Sequence, residues 1–595
     1  MNDEENRRLA RRIAFLNATR YSGRASEKAV LSKLLSERPE LRPRARELAP
    51  LVREVVAEVN SLSTEAQREA LAREFPEEGR EAAVGKGGER AGRRPERGLP
   101  PLENVRGNVV MRFAPGPSGP LHIGHTRAAI LNDEYARMYG GELILRIEDT
   151  DPDRVMPEAY DMIPEDLEWL GVRITKKVIQ SDRFEIYYEH ARRLLEMGAA
   201  YVCLCEPDEW RRLKEASRPC PHRDAPSETN LHLWELMLDR HFRAEKASLV
   251  VKTDISHPDP AIRDFVGMRV VDTPHPRTGD RYCVYPLMNF SVAIDDRTLG
   301  LTHVLRGKDH QKNTLRQAYI FRYFGWEMPE YIHYGRISIE DTVLSKSEIE
   351  RGVRAGIYTG WDDVRLGTVR ALAKRGIRPE AIRRYWLEVG TKDVDIQFSW
   401  QNLQAINRQL VDESADRFFF VWDPVPLWIT GAPPLEGHAP VHPGHPERGL
   451  RRVALSEAPS ASSVESFLSA RPELPEALSG QVVLVCREDV EALQPGTRLR
   501  LKDLCNIELR DRFEARYIGD DLGILKEGAR IIHWAALSAV PCEVQMEDGS
   551  WRRGVAEAGA REAVGKLVQF ERFGYVRLDR FDNELGRLVG YFAHR

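Results

Sequence analysis

Apolar residues recur at helical spacing from residue 1 to about 75, in stretches such as "LRPRARELAPLVREVVAEV" and "ALAREF" built from Ala, Leu, Glu and Arg. That spacing predicts a small helical appendage over 1–75. The rhythm then stops: "PEEGREAAVGKGGERAGRRPERGLPP" is rich in Gly, Arg and Glu and almost free of apolar residues, so a solvated linker is expected over 76–104. "GNVVMRF" next reads as a buried strand, "HTRAAILNDEYARMYG" as a helix closed by Gly140 and Gly141, and "ELILRIEDT" as a second strand. Strand, Gly/Pro turn, helix and strand make a βαβ unit. Such a unit predicts a parallel sheet with a ligand site at the carboxyl ends of its strands.

Between about 206 and 275 the pattern loses regularity, as an insertion would. "YCVYPLMNFSVAIDD" and "LTHVLRGKDH" then resume the alternation of strand and helix. After about 410, short β-type runs such as "FFFVWDPVPLWI", "QVVLVC" and "RLRLKDLCNIEL" recur between Pro/Gly turns, so the last third is expected to be mainly β. No internal repeat of fixed period is visible.

Size and composition narrow the class. A chain of 595 residues is too long for one core, and about three to five domains are expected. With 42% hydrophobic and 30% charged residues it reads as globular, and no apolar run reaches the roughly 18 residues that span a bilayer. The charged start, "MNDEENRRLARRIAFLNATRYSG", lacks a secretory apolar region, and the seven cysteines are sparse and odd in number. A reducing, cytoplasmic setting is therefore expected. Net charge is only -4, so a polyanionic partner would be held by local basic patches.

"RFAPGPSGPLHIGHTRAA" carries His122 and His125 where the strand turns into the helix. By itself the pair leaves a metal, a packed core and an anion open. It lacks the Glu of an HExxH zinc helix and any nearby third ligand, whereas a Gly-rich turn feeding a helix N-terminus presents free N–H groups and the positive end of the helix dipole to a phosphate. Gly124 between the histidines lets a flat ring lie against the backbone. Separately, "CLCEPDEWRRLKEASRPCPHRD" gathers Cys203, Cys205, Cys220 and His222, three thiolates and an imidazole that make a closed tetrahedral set suited to structural zinc.

Together with "HIGH", the loop "DTVLSKSEIERG" around Lys346 resembles the paired signatures of class I aminoacyl-tRNA synthetases. "LRIEDTDPDR", "YPLMNFSVAIDD", "LTHVLRGKDH" and "GWDDVRLGTVRALAKRGI" resemble the glutamyl and glutaminyl subclass, in its archaeal and eukaryotic glutamyl form. The resemblance covers roughly 100–595 and is densest from 107 to 425. It implies a multidomain α/β plus β architecture. A Rossmann-type class I catalytic domain would occupy 105–205 and 276–350, with an inserted acceptor-binding domain at 206–275. A helical connecting domain would follow at 351–408, and anticodon-binding β-barrels at 409–595.

The resemblance also implies the chemistry: ATP-dependent ligation of L-glutamate to tRNA(Glu) through glutamyl-adenylate. Mg²⁺ would accompany ATP, and a structural Zn²⁺ would sit on Cys203, Cys205, Cys220 and His222. His122, His125 and Lys346 would be catalytic, with Gly124 and Ser345 joining them at ATP. Arg112 and Glu148 would hold the α-carboxylate and α-amino ends of glutamate, Gly116 would add a backbone contact, and Tyr285, Asn289 and Arg306 would line the side-chain end. The rival within the subclass is a glutaminyl enzyme, or a glutamyl enzyme that also charges tRNA(Gln). The cation at Arg306 suits a γ-carboxylate and favours glutamate. A monomer without membrane contact is expected.

Overall fold

The computed structural model describes residues 3–20, 25–38, 44–75, 98–455, 480–511 and 513–595. The chain divides into two compact units, Met1–Arg97 and Gly98–Arg595. The expected linker falls mostly on 76–97, outside the described residues. The rest of it, 98–104, is packed: Leu99 and Leu102 are buried in the core of the second unit, and the Leu102 N–H donates to the Tyr139 hydroxyl at 2.8 Å. Two leucines in seven residues are enough to anchor a segment that composition alone marks as solvated.

The first unit is helical in its described residues. Helices α1 (Asp3–Arg20), α2 (Glu27–Glu37), α3 (Ala45–Ser61) and α4 (Thr64–Glu74) enclose a small core in which Ala10, Ala14, Phe15 and Ala18 of α1 meet Val52, Val55, Val56 and Val59 of α3. Small residues on α1 let the helices approach closely. Arg7 and Arg11 then bridge outward to Glu54, Glu58 and Glu74, partly exposed pairs that add little stability.

The second unit opens with the expected βαβ unit: β1 (Val110–Phe113), helix α5 (Ile123–Met138) and β2 (Glu142–Ile147), with β1 parallel to β2. After helix α6 (Ala159–Trp169), strand β3 (Lys176–Ile179) pairs in parallel beyond β2. Helix α7 (Phe184–Glu196) leads into an antiparallel four-stranded sheet of β4 (Ala200–Cys203), β5 (Ser248–Val251), β6 (Phe265–Val270) and β7 (Val284–Pro286). Helices α8 (Pro207–Glu215) and α9 (Ser227–Leu238) lie between β4 and β5 in sequence. This sheet reaches past both ends of the 206–275 insertion, because the buried runs "AYVC" and "VYP" that flank it are its edge strands.

Helix α10 (Met288–Thr298) returns the chain to the parallel layer, where β8 (His303–Gly307) pairs with β9 (Glu330–Tyr334) on either side of helix α11 (Gln311–Phe324). Thr302 joins the two parts. Its N–H donates to the Val110 carbonyl at 3.0 Å, and its hydroxyl accepts from the Val110 N–H at 2.9 Å. The layer therefore runs β3-β2-β1-β8-β9, and its order reverses between β1 and β8, where an α/β sheet opens a ligand crevice. Helices α12 (Lys346–Arg354), α13 (Val369–Arg375), α14 (Pro379–Val389) and α15 (Trp400–Val411) form the helical stretch that follows.

The tail is two six-stranded barrels, one nested in the sequence of the other. Residues 417–422, interrupted at Phe419, pair at one end with Leu567–Phe570 and at the other with Trp551–Ala556. Those pairings close a sheet completed by 540–545, 574–582 and 587–594. Between its first strand and the rest lies the second barrel. There residues 530–535, interrupted at His533, pair with both Arg498–Leu501 and Gln481–Cys486 and close the sheet in the same way. Asp423, in a left-handed conformation with φ 44°, turns the chain from one barrel into the other. The two interruption residues stack on each other, with Phe419 and His533 ring centroids 4.8 Å apart.

Phe419 is 1% exposed and belongs to the nested barrel's core. Phe419→Ala should destabilise the tail by about 3–5 kcal/mol, because the seam leaves a cavity that neither closed sheet can collapse into. Faster amide exchange in 417–422 and 530–535 is the expected readout, and unchanged exchange there would show that the seam does not hold the barrels.

Candidate functional site

His122 caps the N-terminus of α5, and its Nδ1 accepts the Gly124 N–H at 3.1 Å. The His125 Nδ1 accepts the His122 N–H at 3.3 Å. A ring nitrogen that accepts cannot carry the proton, so both protons sit on Nε2. Burial, then the Lys346 charge, pushes His122 down to about 4, and burial with the neighbouring His122 and Lys346 lowers His125 well below its usual range. The pair is thus two neutral Nε2–H donors, stacked 3.7 Å apart at the positive end of a helix. Gly124 makes the stack possible, since a Cβ there would lie 3.0 Å from the His122 ring.

Lys346, the first residue of α12, reaches the same place. Its Nζ donates to the Gly119 carbonyl at 3.2 Å, and burial pulls its ammonium down to about 8. Ser345 is the cap of that helix, with its hydroxyl 3.3 Å from that of Ser347. Asp166 of α6, not foreseen from sequence, supports the turn by accepting the Leu121 N–H at 2.8 Å while pairing with Arg370 at 3.1 Å.

A second cluster lies at the carboxyl ends of β1, β2 and β8. Arg112 donates to the Leu305 carbonyl at 3.1 Å, and Arg306 donates to Thr314 at 2.6 Å and Gln317 at 3.0 Å while lying 4.7 Å over the Tyr331 ring. Both are 7% exposed. Burial lowers both, and Arg306, which also feels the Arg112 charge, falls to about 10. Among the described residues neither guanidinium has a carboxylate at ion-pair distance, and the Nε of each has no hydrogen-bond partner.

The nearby acids are taken by Arg146. This fully buried side chain pairs with Glu148 at 2.9 Å and Asp296 at 2.7 Å. Burial raises Glu148 despite the Arg146 and Arg112 charges. Asn289 joins the cluster through Gln317, which donates to its Oδ1 at 3.3 Å, and Gly116 lies against the Glu148 backbone, 3.5 Å from where a Cβ would sit. Tyr285 stands apart: its ring packs edge-on to Phe184 at 5.0 Å in the core of the inserted region, and no hydrogen bond links it to Arg306 or Asn289. Arg146 and Asp296 escaped sequence reading, although a charge inside "LILRI" and the pair ending "SVAIDD" were the available signals.

Cys203, Cys205, Cys220 and His222 converge, their four ligand atoms all within 4.8 Å of one another. The Cys203 and Cys220 sulfurs are 3.8 Å apart, and the His222 Nδ1 is 3.9 Å from Cys203 and 3.4 Å from Cys205. A tetrahedron with Zn–S bonds of about 2.3 Å has S–S edges of about 3.8 Å, so the spacing fits one such ion.

The family described as tRNA synthetases class I (E and Q) matches this chain twice, by its catalytic domain over residues 108–413 and by its anti-codon binding domain over 415–459. The glutamate–tRNA ligase of Methanocaldococcus jannaschii is 50% identical over 589 residues, spanning 98% of this chain and 99% of that protein. That of Methanopyrus kandleri is 49% identical over 615 residues and the whole of both chains, and that of Pyrococcus furiosus 46% identical over 599 residues and 99% of each. With both domains matched and its relatives aligned from end to end, this chain belongs to the E and Q family of class I tRNA synthetases.

Proposed function

We propose that this chain is a glutamate–tRNA ligase that joins L-glutamate to tRNA(Glu) with ATP, by way of glutamyl-adenylate. One observation carries the choice of amino acid: Arg112 and Arg306 are two buried guanidiniums with no carboxylate partner among the described residues, and glutamate brings two carboxylates. Burying an unpaired cation is costly, and a dianionic side of the substrate offsets that cost.

Arg112 then takes the α-carboxylate end and Glu148 the ammonium, with Arg306 and Asn289 toward the γ-carboxylate and Gly116 supplying backbone. An α-carboxylate oxygen attacks the α-phosphorus of ATP, the bond to the bridging oxygen breaks, and pyrophosphate leaves. His122 and His125 donate Nε2–H bonds and Lys346 a charge to the phosphates, with Gly124 and Ser345 at the same two helix starts. Mg²⁺ arriving with ATP neutralises phosphate charge when bound. A hydroxyl of the terminal ribose of tRNA next attacks the activated carbonyl and AMP leaves.

The remaining assignments follow the same reading. The inserted region carries a zinc held by Cys203, Cys205, Cys220 and His222, and the barrels read the anticodon, where unpaired bases can stack and show their edges. Seven free thiols suit a reducing cytoplasm, and no described helix is long and apolar enough to cross a membrane. ATP–pyrophosphate exchange with glutamate or glutamine, each with and without tRNA(Glu) or tRNA(Gln), tests the whole reading; exchange with glutamine alone would overturn it.

Four outcomes are expected. Lys346 holds its charge below a pKa of about 8 and loses it above, so kcat/KM for ATP should fall as pH rises through that value, and Lys346→Arg should move the fall upward. His122, neutral above about 4, should add no acidic limb between about pH 5 and 7, and a limb there would contradict neutral donors. Arg306→Gln should depress glutamate activation by about 30-fold to several thousand-fold, from about 2–5 kcal/mol for removing one partner of a buried charge pair. Glutamine should suffer much less, and an unchanged ratio of the two would place carboxylate reading elsewhere. Metal analysis of protein purified without added zinc should find about one zinc per chain, lost in a Cys203→Ser, Cys205→Ser variant.

A further inference from the structure

The groups that face phosphate come from two loops far apart in sequence, the His122–His125 turn and the Lys346 loop. Their spacing decides whether the donors converge. Between them runs one segment, Leu366–Val369, extended as far as Thr368, after which α13 begins. On one side the Ile123 N–H donates to the Gly367 carbonyl and the Val369 N–H to the Leu121 carbonyl, both at 2.9 Å, and His122 pairs antiparallel with Thr368. On the other side the Gly367 N–H donates to the Val343 carbonyl at 3.4 Å, and Val343 pairs in parallel with Leu366. A backbone bonded on both sides fixes a strand-to-strand distance, which no single side-chain contact does.

The segment is itself held. Asp363, 1% exposed, accepts from the Thr359 N–H at 3.0 Å, the Arg365 N–H at 3.1 Å and the Arg365 guanidinium at 2.7 Å, which fixes the turn entering it. Thr368 donates its hydroxyl to the Trp361 carbonyl at 2.5 Å and accepts the Ala371 N–H at 3.1 Å, capping α13. Gly367 allows the close approach: a Cβ there would lie 2.6 Å from Leu344 Cδ2 and 3.2 Å from Thr342. Its φ is not left-handed, so only space forbids a side chain.

We propose that Leu366–Val369 is a spacer that sets the separation of the His122–His125 turn and the Lys346 loop, with Gly367 and Asp363 as positioning residues for adenylate formation. The spacer rests on the reading of those loops as the phosphate site. No hydrogen bond joins 360–369 to Arg112, Glu148, Asn289 or Arg306 among the described residues, so glutamate binding lies outside its reach.

The test is ATP–pyrophosphate exchange by the full chain with tRNA present. Gly367→Ala should push Leu344 outward and lower kcat by up to about 10²-fold, as a misplacement of about 1 Å does, with the KM for glutamate unchanged. Leu344→Ala added to that variant removes the clash and should restore most of the loss. Asp363→Asn, which keeps the shape but replaces one of the two accepting oxygens with an NH2 donor, should show the same fall in kcat at constant KM. A kcat unaffected in both single variants, a parallel rise in KM, or a double variant no better than Gly367→Ala would each overturn the spacer. If wild type itself gives no glutamate-dependent exchange, the fault lies instead with the reading of the site.

Discussion

Thr302 clasps Val110 through both its amide and its hydroxyl, and the active crevice depends on that join. Parallel strands cannot meet through a tight turn, and the long connection from β1 to β8 carries the rest of the first parallel strands and the whole inserted sheet. The join makes their carboxyl ends neighbours. Arg112 near the end of β1 and Arg306 near the end of β8 then face one crevice, and Glu148 reaches it from the end of β2. The same order frees the N-terminus of α5, where the two histidines sit. The amino-acid pocket and phosphate site proposed above would both follow from one reversal in strand order.

Electrostatics divides the crevice into two kinds of ground. Around the histidines, burial and the lysine keep the rings uncharged, so they stand as oriented, neutral dipoles. Around the arginines, burial opposes charges that cannot be shed, and Arg146 keeps Glu148 and Asp296 from neutralising them. The free pocket is therefore held in a state that an anionic ligand relaxes. Binding there raises the stability of the folded chain by mass action, and a ligand with one fewer negative charge relaxes it less.

Much of this was legible in the sequence where one residue type has one physical use. The strand-turn-helix-strand rhythm gave β1, α5 and β2 to within a few residues, and "QVVLVC" is a strand from end to end. The cysteines and His222 could be grouped because four potential metal ligands in so short a span have few other roles. Edges of the inserted region could not be read, because "AYVC" looks the same as a strand of either sheet. Leu99 and Leu102 show the reverse failure, a polar stretch anchored by two side chains. Arg146 and Asp166 stayed hidden since their roles depend on partners distant in the chain, and the segment 366–369 acts through its backbone, which leaves little mark beyond Gly367.

The nesting of one barrel within the other imposes an order on synthesis. The strand 417–422 emerges first, the nested barrel follows whole, and only then come 540–594, which that first strand has been waiting for. A nascent chain halted between them presents an unpaired, aromatic strand beside a finished barrel, a template for aggregation. The last pieces to arrive include the carbonyls of Phe592 and Ala593, which Arg375 at the end of α13 holds at 3.3 and 3.0 Å. The helix that continues the 366–369 segment thus gains its anchor from the barrel only when residue 593 is in place, so a chain halted earlier leaves that segment and the two loops it bridges unfastened.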